Sequence, residues 1–123
     1  MADSLRELRA HLAAEFKSAL GKGWVIFPGP TTTDEITKPT LVLVRDRVTP
    51  LPSAPASHFD NALTLWVIFP ATTSEDVIDD HLESVLQTID GHDWLFTEAA
   101  RDVWTASEPA YRIALSAPSE RKK

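Results

Sequence analysis

The chain has 123 residues, 43% of them hydrophobic, with no cysteine and a formal net charge of −6. That length holds one domain and can bury roughly two-thirds of its unfolded surface, so a core needs no disulfide or metal to form. The missing cysteines exclude thiolate zinc sites and a Cys nucleophile, and fit a chain that folds in a reducing cytosol. Between Val48 and Ala100 there are nine acids and no Lys or Arg. Such a chain is not expected to bind nucleic acid by neutralising phosphates. No apolar run approaches the roughly eighteen residues that cross a bilayer. Arg6, Glu7, Arg9 and Glu15 interrupt any signal-peptide core in the first twenty residues.

In chain order, Ser4-x-x-Glu7 fits a capping box, and Leu5, Leu8, Leu12, Phe16, Ala19 and Leu20 form one helical stripe closed by Gly21. Residues 24–27 predict a short strand stopped by Pro28. A polar loop over 28–39 follows, with Gly29, Pro30 and three threonines. The second strand, 40–48, is apolar on both faces from Leu41 to Val44 and turns polar at Arg45 and Arg47. Pro50, Pro52 and Pro55 make 49–59 a stiff, extended arm. In the third strand, 60–69, Leu63, Leu65, Val67 and Phe69 share one face, and Ala62, Thr64, Trp66 and Ile68 the other.

Pro70 ends that strand; Thr72, Thr73 and Ser74 then offer N-cap oxygens, and Thr72-x-x-Glu75 fits a second capping box. Val77, Ile78, Leu82, Val85, Leu86 and Ile89 then recur at helical spacing, with Gly91 expected to supply a left-handed terminus. Its acids, Glu75, Asp76, Asp79, Asp80 and Glu83, read first as a solvated face near the positive helix end. After 94–96 comes a hairpin pairing 98–106 with 110–117 across Ser107-Glu108-Pro109; Tyr111, Ile113 and Leu115 mark one face of its second strand, and 119–123 read as a solvated tail. Trp24-Val25-Ile26-Phe27-Pro28 recurs unchanged as Trp66-Val67-Ile68-Phe69-Pro70. Different flanks and Pro39 favour a shared way of ending a strand over a duplicated unit.

The order α-β-β-β-α-β-β predicts one α+β domain over residues 1–123: a largely antiparallel sheet of about five strands with two helices packed on one face. The other face then lacks cover, which points to an oligomer or a partner docked through the sheet, unless the two Pro-rich loops wrap over it. The search for chemistry finds no catalytic, cofactor or metal residues. Ser57, His58 and Asp60 are too close along an extended chain to form a relay. His11, His58, His81 and His92 lack metal spacing, as does the acidic group of Asp79, Asp80, His81, Glu83, Asp90, His92 and Asp93. The four glycines are too scattered for a phosphate loop, and Trp24, Trp66, Trp94 and Trp104 suit a core or an interface.

The layout resembles the tail terminator (tail completion) family of long-tailed bacteriophages. The likeness lies in the amphipathic opening helix, the short strand and Pro-containing loop, and the two long strands separated by an extended arm. It extends to the acid- and aliphatic-rich helix and the final strand Tyr111-Arg112-Ile113-Ala114-Leu115. It covers nearly the whole chain as a pattern and carries no diagnostic motif. The resemblance implies a non-enzymatic, cofactor-free virion protein, assembled in the host cytoplasm and placed at the head-proximal end of the tail. There a homohexameric ring caps the tail tube, stops its polymerisation, and joins the head–tail connector, while DNA passes through without specific binding and no membrane is involved. Position then suggests Trp24, Trp66 and Phe59 as interface anchors, with Arg45 and Arg47 meeting acids of a neighbour. Glu75, Asp76, Asp79, Asp80 and Glu83 would face the channel. Other readings are another head–tail joining or minor tail protein, a dimeric bacterial adaptor, and a small α+β ligand-binding or hydrolytic domain. The last needs polar groups inside the sheet, where the strands offer Thr64 and little else.

Overall fold

The computed structural model describes residues 5–29, 36–50, 58–91, 94–104 and 108–120. They form helix α1 (Leu5–Leu20), strands β1 (Val25–Phe27), β2 (Thr40–Pro50) and β3 (His58–Ile68), helix α2 (Glu75–Asp90), and strands β4 (Leu95–Val103) and β5 (Pro109–Glu120). The α-β-β-β-α-β-β order is the one expected from hydrophobic spacing. The strands make one sheet in the order β1-β2-β3-β5-β4. Only the three-residue β1 runs parallel to its neighbour, with Ile26 opposite Leu41; every other pair is antiparallel. Among the described residues no helix is long and apolar enough to cross a membrane.

Both helices lie on one face. Leu8, Leu12 and Phe16 of α1, and Ile78, Val85 and Ile89 of α2, are buried against Leu41, Leu43, Leu63, Leu65, Val67, Ile113 and Leu115 of the sheet. Each helix repeats its apolar residues every three or four positions, so one stripe meets the sheet. Fully burying one such side chain contributes about 1.5–3 kcal/mol. Trp94, next to β4, packs its ring 5.5 Å from that of Phe16 and ties α1 to the far side of the sheet.

The opposite face is not bare. Ile36, from the loop before β2, is buried there with Val42, Ile68 and Ala110, flanked by Phe27, Val44, Trp66 and Trp104. The expectation of an uncovered apolar face is thus corrected for the half of the sheet near Ile68. Part of the first Pro-containing loop supplies the cover. The other half of this face is polar: Thr64 Oγ1 donates to Asp46 at 2.5 Å, and Ser116 donates to Asp60.

Local details depart from the sequence reading for physical reasons. Of the three N-cap candidates before α2 it is Ser74 that caps, its Oγ accepting from Val77 N at 3.4 Å; the helix starts at Glu75, which leaves Thr72 too far upstream to form a capping box with it. Gly91 has φ −81°, an ordinary right-handed value, whereas Gly21 after α1 has φ +84°, the conformation glycine tolerates best. β4 is one strand rather than two pieces, because a register shift between Phe96 and Glu98 makes Thr97 an extra residue that resets the side-chain alternation. β5 runs beyond 117, since Pro118 and Ser119 pair with Asp60 and Phe59 and Ser119 is buried. The two pentapeptide copies flank the start of β2 in opposite directions, Phe27 and Trp66 both opposite Val42. Ser4, the arm at 51–57, His92, Asp93, the turn at Ser107 and the tail at 121–123 lie outside the described residues.

Leu65 is buried at the centre of the helix-side core. Leu65→Ala is expected to cost about 2–5 kcal/mol, read as a lower urea midpoint at unchanged slope.

Candidate assembly surface

Three of the five large apolar side chains exposed among the described residues lie on the edge strand β4. At one edge, β4 exposes Leu95, Phe96 and Val103, with Leu95 66% exposed. Leu95 and Phe96 line a groove of about 420 Å³ against the C-terminal half of α2, with Leu86, Gln87 and the carboxylates Glu83 and Asp90. The groove lies between α2 and the β4 edge of the sheet. Among the described residues no group of three or more His, Asp or Glu side chains could hold a metal.

At the other edge β1 covers only the start of β2, opposite Thr40, Leu41 and Val42. Among the described residues no strand lies outside β2 from Leu43 onward. A register shift between Arg45 and Arg47 bulges this stretch at Asp46. Arg45 consequently pairs with Leu63 on the helix side, and Arg47 with Ala62 on the helix-free side. The two arginines expected to act together therefore stand on opposite faces. Arg45 is half-buried; burial first, and then the neighbouring Arg9 charge, lower its pKa from the ordinary arginine value. Arg47 is exposed.

The three aromatic candidates also separate. Trp24 is half-buried beneath the helices, with ring centroids 5.2 Å from His81 and 6.4 Å from Phe69. Trp66 lies on the helix-free face, edge-on to Trp104 at 5.2 Å and 5.9 Å from the Arg112 guanidinium. Arg112 in turn pairs with Asp102 at 2.7 Å. Phe59 is half-buried near the far end of β3, opposite Pro50 and Ser119. Of the three, Trp66 alone sits on the sheet face that the helices leave free.

The five acids in the first half of α2 are all exposed, but they are not equivalent. Glu75 takes two hydrogen bonds from Arg101 of β4, at 2.8 and 2.5 Å. These hold the Glu75 carboxyl below the ordinary carboxylate range, and the same bonds, with help from Tyr111, raise the Arg101 pKa. Asp76, Asp79, Asp80 and Glu83 make no ion pair among the described residues. The outcome is a polarised molecule. The elements α2 and β4 hold eight acids against one base, Arg101, whereas α1, β1 and β2 hold five bases against three acids.

Leu95, Phe96, Val103 and Glu98 were not singled out by the sequence reading. The available signal was the Leu95-Phe96 pair next to Thr97: two large apolar residues that cannot both turn inward on a strand. No protein-family model matches the chain, and comparison with curated proteins finds no relative.

The Glu75–Arg101 pair has a pH signature. A carboxyl with a depressed folded pKa stabilises fully above its unfolded value, and that contribution is lost as pH falls through the folded value. Arg101→Met is expected to return Glu75 to the ordinary carboxylate range and to flatten the acid limb of the stability profile. Carbon-13 titration of the Glu75 carboxyl checks the first, acid melts the second; the exposed position keeps the effect small.

Proposed function

We propose that this protein is a structural, non-enzymatic subunit that acts by associating with further copies into a ring of the tail-terminator kind. The ring would cap a phage tail tube, stop its growth and meet the head-side connector. One observation carries the reading: the apolar surface that the fold leaves exposed is concentrated on β4, an edge strand with no neighbour on its outer side among the described residues. Exposed edges bearing large apolar residues are a liability for a free monomer and an asset for a subunit. The whole-chain resemblance in element order supports the choice of ring over other assemblies. In such a ring the exposed acids Asp76, Asp79, Asp80 and Glu83 of α2 would face the channel, where like charge keeps DNA sliding rather than bound. Virion placement at the head-proximal end of the tail follows from the same reading.

Light scattering over a range of concentration, with negative-stain images of the same sample, tests this directly. Six copies around an open centre is the expected result; a monomer at every concentration, alone and with tail-tube subunits added, overturns it. Trp66→Ala is expected to lower the assembled fraction under conditions where circular dichroism shows the variant monomer still folded. A variant that only melts earlier would assign Trp66 to the core.

A further inference from the structure

We infer that copies of this chain join head to tail: the β4 edge of one against the outer edge of β2, from Leu43 onward, of the next, with Glu98 set against Arg47. This rests on the ring reading and adds the surfaces that make it.

Main-chain pairing identifies what β4 has to offer. Trp104 N donates to Glu108 O at 3.0 Å, and hydrogen-bonded pairs alternate along an antiparallel ladder. The pairs Ala100–Arg112 and Asp102–Ala110 are therefore the bonded ones, and Ala99, Arg101 and Val103 turn their N–H and C=O groups away from β5. The Val103 N–H is taken by Asp102 Oδ1 at 2.7 Å, which blunts that end of the edge. Ala99 and Arg101 keep theirs for a strand outside. On the opposite side, β2 beyond Val42 has no outer strand among the described residues.

Direction, face and charge agree. β1, β2 and β5 run one way, β3 and β4 the other. A copy added edge to edge in the same orientation thus meets β2 with β4 antiparallel, the commoner pairing. Glu98 lies opposite Ala114, which pairs with Thr64 on the helix-free side, the side Arg47 also faces. Arg47 and Glu98 are both exposed and make no ion pair among the described residues, so each is open to a neighbour. A β4-to-β4 contact would instead set Glu98 against its own copy and leave Arg47 without a partner.

Charge exchange tests the proposal. Arg47→Glu and Glu98→Arg are each expected to weaken assembly by about tenfold or more, read by sedimentation velocity and light scattering. Their equimolar mixture, and the chain carrying both changes, should recover the parent mass. In an alternating ring of the two variants, as in a ring of the doubly changed chain, every contact again sets a carboxylate against a guanidinium. Circular dichroism melts matching the parent show that the variants fold. If the parent assembles and the single variants assemble as well as it does, the edges are not the contact; the inference falls and the ring stands on another surface. If the mixture does not recover, the Arg47–Glu98 pairing is wrong. A parent that stays monomeric defeats the ring reading itself, and the inference with it.

Discussion

β3 carries the constraint on which the rest depends. It is paired on both sides, with β2 from Phe59 to Ile68 and with β5 from His58 to Ile68, and around Trp66–Ile68 it meets apolar clusters on both faces. Leu63, Leu65 and Val67 meet the helices; Trp66 and Ile68 meet the smaller cluster around Ile36 and Trp104. A slip of one residue would exchange those two sets and bring Thr64 into the helix-side core, so the register is strongly fixed. The edges follow from this. With β2, β3 and β5 in the middle, the sheet can end only in β1 and β4. β1 has three residues against the eleven of β2, and among the described residues no other strand lies on the outer side of β2.

Much of this order is legible in the sequence because periodicity is a local property. The stripes of α1 and α2 and the two-sided apolarity of β3 follow from spacing alone. What escaped depends on pairing between distant segments. The bulges at Asp46 and Thr97 have no compositional mark, yet the first sends Arg45 and Arg47 to opposite faces and the second joins two apparent strands into β4. The direction of β1 is invisible for the same reason, since three residues of Val-Ile-Phe fit a parallel or an antiparallel ladder equally. Ile36 covers the second face from a loop whose pattern is polar. The aromatics were recognisable as core or interface residues, but not the partners that separate Trp24, among His81 and Phe69, from Trp66 on the free face.

The proposed assembly has to reconcile attraction between edges with a net charge of −6 on every copy. The two act at different ranges. Repulsion between whole copies works across distances beyond the Debye length of about 10 Å at 0.1 M salt, where it is largely screened. A pair held at an edge contact is closer and less exposed to that screening. The orientation of the contact decides its sign. An isologous meeting through β4 would place Glu98 against its own copy, which costs energy at each contact. A heterologous meeting would place it against Arg47 of β2. Charge polarity across the sheet thus selects a directional contact, and a directional contact repeated by a fixed rotation gives a ring when the rotation closes and a filament when it does not. The right-handed twist of the sheet supplies a rotation at every junction. The bulges at Asp46 and Thr97, one on each of the two edges concerned, are the places where the sequence can adjust it.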